Sequence, residues 1–262
     1  MVARPRLTRR TVNPRRAGRA VKPSPDPNTG MPALEPAMNQ TQSVRIDVIS
    51  DVVCPWCFLG QKRLDRAIQL ADGIAVDVRW RPYQLDPSIP PEGLERTSYM
   101  LSKFGSAERL RQAHDTLVGA GQAEGIPFAF DAITVSPNTL DAHRVIRWAG
   151  SAGPQIQNRL ARRLFELYFQ EGRNVGDPAE LIAAAADAGM DAAVVETLLP
   201  TDADRDAVTE EIATASRMGV RGVPCFILEN KYAVMGAQDP QTLADAIRQV
   251  AGLKAKGELE GA

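Results

Sequence analysis

At 262 residues, with 44% apolar and 24% charged side chains, the chain has the composition of a soluble globular protein, long enough for one large domain or two small ones. No stretch approaches the roughly 18 apolar residues of a membrane span, and three cysteines are too few for a disulfide scaffold and suit a reducing compartment. The formal net charge of −1 hides a split: residues 1–43 carry eight basic and two acidic groups, which leaves the remainder at −7, an acidic body with no general reason to bind nucleic acid.

Residues 1–43 are proline-rich and aperiodic and read as a disordered basic extension. They lack the continuous apolar run of a signal peptide. Their Arg-rich, acid-poor start matches an organellar transit peptide in composition, although prolines interrupt any amphipathic helix there. A basic nucleic-acid-binding tail is a second functional reading. Met31 and Met38 are alternative starts, so residues 1–37 need not belong to the native protein.

Residues 44–50 alternate apolar and polar side chains and are rich in β-branched types, which predicts a strand. A helical pattern follows over 55–72, closed by Gly73. Between them lies Cys54-Pro55-Trp56-Cys57. Pro55 suits the first helical position, where a missing N–H costs nothing, so Cys54 becomes the N-cap. Its sulfur then faces unpaired N–H groups and the positive end of the helix dipole, which favour thiolate and predict an exposed nucleophile. Cys57, one turn deeper, is placed to close a disulfide and to be shielded. Zinc is a competing reading, but tetrahedral zinc needs two more ligands, and Cys225, His114 and His143 are not paired at metal-ligand spacing. A buried, inert cysteine pair is the other.

Residues 74–81 alternate again and predict a second strand, and the proline-rich segment 82–91 excludes regular structure. From about 97 to 218 the pattern is helical, with segments near 106–123, 139–150, 154–171, 178–188, 191–198 and 203–218. Asn138 is the expected N-cap of the helix carrying His143, and Asp177-Pro178 another cap and first-turn pair. His114 lies in a polar helix and reads as solvated. Strands return at 224–228 and 232–235 around a hairpin turn at 229–231, and Asp239-Pro240 opens a last helix over about 240–251, followed by a frayed polar tail.

The order β-α-β, helical block, β-β-α, with Cys54-Pro55-Trp56-Cys57 and Gly222-Val223-Pro224, resembles the thioredoxin fold in its DsbA-like branch, and most nearly the FrnE-type members. The resemblance rests on 51–59, 82–91, 138–149, 164–177 and 219–239. It implies an α/β thioredoxin fold (βαβ–ββα) with an inserted all-helical domain. The corresponding division is a thioredoxin-like domain of 44–91 and 219–253, a helical insertion of 92–218 and a flexible tail of 254–262.

It further implies a thiol–disulfide oxidoreductase or isomerase acting on protein or peptide disulfides, with Cys54 attacking and Cys57 resolving. Val223–Pro224 is implied to be cis, with Val223 beside the cysteines, able to hold an extended substrate by strand addition. Pro55, Trp56, Val223, Pro224, Asn138 and His143 are the implied substrate-binding residues, with His143 assisting proton transfer. No cofactor or metal is implied beyond glutathione as a redox partner, or a thioredoxin-type electron donor. The expected protein is a cytoplasmic monomer or homodimer without nucleic-acid or membrane partners.

The chain departs from the pattern in places. Periplasmic relatives carry His where Trp56 stands, so Cys54 here lacks a potential cation. The buried carboxylate that many thioredoxin-fold enzymes place on the first strand corresponds to Val48; Asp51 is either a proton acceptor for Cys57 or a turn acid. Cys225, after Pro224, is either a packed strand residue or a third thiol that intercepts the pair. Two other functions compete. One is a glutathione-dependent transferase or isomerase of the kappa or hydroxychromene-carboxylate type, which typically has Ser at the first cysteine position. The other is a non-catalytic adaptor.

Overall fold

The computed structural model describes residues 43–261, so the expected extension lies, up to Gln42, outside the described residues. Strand β1 (Val44–Ser50) is central. It runs parallel to β2 (Val76–Pro82), in register from Val44 against Val76 to Ser50 against Pro82. On its other side it is antiparallel to β5 (Cys225–Leu228), which pairs with β6 (Tyr232–Met235), giving the order β2-β1-β5-β6. Glu229 and Asn230 take positive φ in the hairpin turn, where short polar or acidic side chains are the tolerated choice.

The alternation of β1 separates its two faces, both of them covered. Ile46 and Val48 join the main core with α1 (Pro55–Leu70) and α9 (Pro240–Ala255). Ile49 joins Cys225, Ile227, Ala215 and Val220 in a smaller cluster, beneath α8 (Arg205–Arg217). Asp47, a polar position, is buried there because Arg81 pairs with it at 2.6 Å and reaches on to Glu211 at 2.7 Å.

Between β2 and β5 lie α2 (Arg96–Phe104), α3 (Ala107–Ala123), α4 (Leu140–Ala152), α5 (Pro154–Phe169), α6 (Pro178–Asp187), α7 (Ala192–Leu198) and α8. Helix α5 closes the open edge of β2 through the buried Gln157: its Oε1 accepts from Trp80 N at 3.0 Å and its Nε2 donates to Trp80 O at 3.3 Å. Phe58, next to Cys57, stacks on Phe165 (5.4 Å, 8°) and Phe169 (6.0 Å, 16°) of α5. The helix bearing the cysteines is thus fixed to the helical block by the residue that follows them.

The block is not wholly helical. Two-residue strands β3 (Leu94–Glu95) and β4 (Val135–Ser136) pair antiparallel, and Phe130–Ala132 forms a 3-10 turn. Such short pairings leave no period-2 signal. Helix α1 ends at Leu70, before Gly73, and β2 begins at Val76. Helix α9 passes through Gly252 to Ala255, further than its sequence pattern suggests. Lys254 anchors that last turn, donating to Ser43 O (2.8 Å) and pairing with Glu229 (2.9 Å), and a basic side chain there suits the helix dipole. The tail expected to be flexible from 254 therefore starts inside an anchored helix and ends in a 3-10 turn at Glu258–Gly261.

Candidate active site

The turn after β1 delivers Cys54 to the start of α1. Cys54 N donates to Asp51 O (3.0 Å), and the extended Cys54 (φ −92°, ψ 112°) is the N-cap, with Pro55 in the first turn. Its own carbonyl accepts from Cys57 N at 3.0 Å and Phe58 N at 3.2 Å. Cys54 Sγ donates to the Val223 carbonyl at 3.7 Å, and the Val223–Pro224 bond is cis, as the resemblance implied.

Gly60 explains how α1 and this loop come so close. A Cβ there would lie 2.8 Å from Pro224 Cγ and 3.2 Å from Phe226. We expect Gly60→Ala to lose about 1–3 kcal/mol by overpacking and to slow disulfide exchange by displacing Val223 from Cys54. Urea unfolding beside single-turnover kinetics checks both; an unchanged midpoint would mean that Pro224 yields freely.

Both sulfurs are buried, at 4% for Cys54 and 1% for Cys57, so the expected exposure of Cys54 is not found: Trp56, 41% exposed, forms the outer surface instead. What separates the cysteines is access. Cys54 lines a cavity of about 500 Å³, and Cys57 does not. Burial pushes the Cys57 thiol well above its ordinary pKa and the Cys54 sulfur adds to this, while the Ser50 hydroxyl and Asp51 N–H partly offset both.

Asp51 is neither a simple turn acid nor exposed. It is 1% exposed, its Oδ2 accepts from Leu85 N (2.8 Å), and its Oδ1 lies 3.4 Å from His143 Nε2. That nitrogen is 2.8 Å from Tyr83 O, which can only accept, so His143 spends its Nε2–H there and Asp51 Oδ1 accepts no hydrogen bond. Asp51 thus supplies the buried carboxylate that Val48 does not, from the turn rather than the strand.

Two expected groove residues are placed elsewhere. His143 is 3% exposed and supports the 82–91 segment through Tyr83 rather than lining the cavity. Asn138 is not the N-cap, which is Thr139. Its Oδ1 accepts from Leu140 N (2.9 Å) and Gln84 Nε2 (3.1 Å), and its Nδ2 donates to Ile89 O (2.6 Å). Both side chains turn toward backbone carbonyls of the proline-rich segment, and a helix period cannot tell that direction from the groove. Pro55, Trp56, Val223 and Thr139 do line the cavity, whereas Pro224 packs on Gly60.

Sequence reasoning missed the opposite wall. Arg96 Nη1 donates to Tyr168 Oη (2.9 Å), which donates on to Val135 O (3.2 Å), and burial pushes the Tyr168 hydroxyl up to about 12. His114 is not solvated. It stacks on Phe130 (4.1 Å, 8°), with Nε2 buried and unpaired, and burial lowers its pKa. Cys225 is fully buried on the sheet face opposite Phe226, and burial raises its pKa, which makes it the packed strand residue. Among the described residues no cluster of three or more potential metal ligands occurs, and no helix is long and apolar enough to cross a membrane.

The family model for the DSBA-like thioredoxin domain matches residues 45–248. The chain belongs to the DsbA-like thioredoxin family. A crystal structure of a probable DsbA oxidoreductase from Streptomyces coelicolor is 30% identical, with a TM-score of 0.71 over 80% of this chain and 90% of that one. The uncharacterized protein YwbO of Bacillus subtilis is 27% identical over 187 residues, which is 71% of this chain and 87% of YwbO. A 2-hydroxychromene-2-carboxylate isomerase shares the fold at 19% identity, with a TM-score of 0.59 over 81% of this chain and 98% of its own. DsbA-like proteins with oxidoreductase and isomerase activities are therefore this chain's relatives, and it is an enzyme of this kind.

Proposed function

We propose that the chain is a thiol–disulfide oxidoreductase or isomerase acting on protein or peptide disulfides through Cys54 and Cys57. The observation that carries this reading is the placement of Cys54, at the N-cap of α1, open to a groove and beside the Val223 carbonyl, with Cys57 one turn behind. The Cys54 thiolate attacks a substrate disulfide and one substrate thiol leaves. Cys57 then loses its proton, attacks the Cys54 sulfur of the mixed disulfide and releases the second. Burial keeps Cys57 protonated until that step, and Asp51 Oδ1, buried and unpaired, is the nearby acceptor we assign to its proton.

An extended substrate lies along the Val223 edge, with Trp56 as its outer contact. Electrons come from glutathione or a thioredoxin-type donor in the cytoplasm, whose poise of about −220 to −320 mV favours reduction or isomerisation over net oxidation. The reading does not require an oligomer. Titrating the cysteine pair in a glutathione redox buffer tests it: a reversible two-electron couple is expected, and tight glutathione binding without disulfide cycling would replace it with the glutathione-dependent alternative.

Trp56 carries a further expectation. Trp56→His places a potential cation beside Cys54, stabilises the thiolate and makes the disulfide more oxidising, by about 30 mV for each 1.4 kcal/mol. A potential that stays put or becomes more negative in the same titration would reject that electrostatic account.

A further inference from the structure

The cavity beside Cys54 is larger and more polar at its base than one peptide side chain needs. Its volume of about 500 Å³ falls in the range of small-molecule sites. Leu85, Ile89, Met100, Phe104, Leu117 and Phe130 make its walls apolar. Set in those walls are polar atoms with no partner in the protein. Asp51 Oδ1 accepts no hydrogen bond although the residue is 1% exposed, and His114 Nε2 is buried and unpaired. An orphaned buried polar atom costs about 1–3 kcal/mol, a cost that a ligand with matching groups removes. Asp51 calls for a donor. Arg96, which forms no ion pair with a carboxylate among the described residues, offers donors to an acceptor.

The charges on the lining cancel: Arg96 and Lys103 against Asp51 and Asp86. His114 adds none near neutral pH, because burial and the Arg96 charge lower its pKa. A balanced, mostly apolar cavity does not select a multiply anionic disulfide such as oxidised glutathione. An amide fits better, since it brings one donor and one acceptor without charge.

We infer that this cavity binds neutral, amide-bearing aliphatic disulfides of low molecular weight and presents their sulfur to Cys54, a substrate class served in addition to protein disulfides. The inference rests on Cys54 being the attacking thiol. The chemistry is balanced: R–S–S–R and the two protein thiols give two R–SH and the Cys54–Cys57 disulfide. The two protons lost by the cysteines end on the released thiols, and an external dithiol restores the enzyme.

Pantethine is the probe, with oxidised glutathione and bis(2-hydroxyethyl) disulfide as comparators, the last too small to fill the cavity. Each is mixed with the fully reduced full-length protein, and single-turnover oxidation of the pair is followed by acid quench and mass spectrometry. We expect pantethine to react about tenfold faster than oxidised glutathione. Ala113→Trp, which fills the cavity from α3, should slow pantethine about tenfold more than bis(2-hydroxyethyl) disulfide. Pantethine reacting no faster than oxidised glutathione in the wild type overturns the inference, whether or not the variant folds. So does equal slowing of both disulfides by Ala113→Trp. If no disulfide oxidises the pair, the thiol–disulfide reading itself falls.

Discussion

Cys57→Ser accumulates a covalent adduct on Cys54, whereas Cys54→Ser accumulates none and loses insulin-type disulfide reduction by at least about a thousandfold. The expectation follows from the unequal positions of the two sulfurs. Only Cys54 lines the groove, and its place at the N-cap of α1 puts unpaired N–H groups of the first turn near the sulfur. Cys57 is sealed behind it with a raised pKa, so it cannot start the reaction but can finish it once the mixed disulfide lies next to it. Removing the nucleophile of a covalent mechanism eliminates the path rather than slowing it, hence the size of the loss. Trapping from cell extract followed by mass spectrometry reads the outcome. Proteins held on Cys54 support the groove beside Val223 as the protein-substrate site, and glutathione alone would make this a small-thiol enzyme. Adducts on Cys57 or Cys225 in preference to Cys54 would refute the placement of the nucleophile. Cys225 is the stringent control, since it is fully buried in the small cluster under α8 and burial raises its pKa.

The legible part of this site is the part made by neighbours in sequence. A strand, an N-cap cysteine, a proline in the first turn and a second cysteine one turn on are all local, and the structure reproduces them within a residue or two. The groove is another matter. Its far wall is assembled from Arg96 and Met100 on α2, His114 and Leu117 on α3, Phe130 and Tyr168, which no local period brings together. Thr139 lines the groove while Asn138 and His143 clamp the 82–91 segment, because the sign of a side chain's direction depends on which loop packs beside α4. Asp51 was visible as an acid in a turn. Its burial comes from the Leu85 N–H closing over it, a contact between residues on opposite sides of β2.

Arg144 shows the same limit most sharply, and its replacement is the second large effect we expect. In sequence it is an ordinary basic residue of an amphipathic helix; in the structure it is fully buried. Its Nε donates to Ala203 O (2.7 Å) and its terminal nitrogens to Leu198 O (3.2 Å), Leu199 O (3.2 Å) and Thr201 O (2.7 Å), with Asp141 at 2.8 Å and the Trp148 ring 5.0 Å away. These carbonyls follow the C-terminus of α7, where a helix leaves acceptors unpaired and its dipole favours a cation. One planar guanidinium therefore caps α7 and ties the 198–203 turn to α4, the helix that begins beside the groove at Thr139. Arg144→Met keeps the bulk but leaves Leu199, Thr201 and Ala203 without this donor and removes the charge facing Asp141, so we expect a loss of about 3–5 kcal/mol. Arg144→Lys retains the charge but not the fork, and should fall between the two. Urea unfolding monitored by circular dichroism measures this, and a Met variant within about 1 kcal/mol of wild type would show that water caps α7 equally well. Exchange rates at Cys54 should change less than stability does, because Arg144 reaches the groove only through the start of α4.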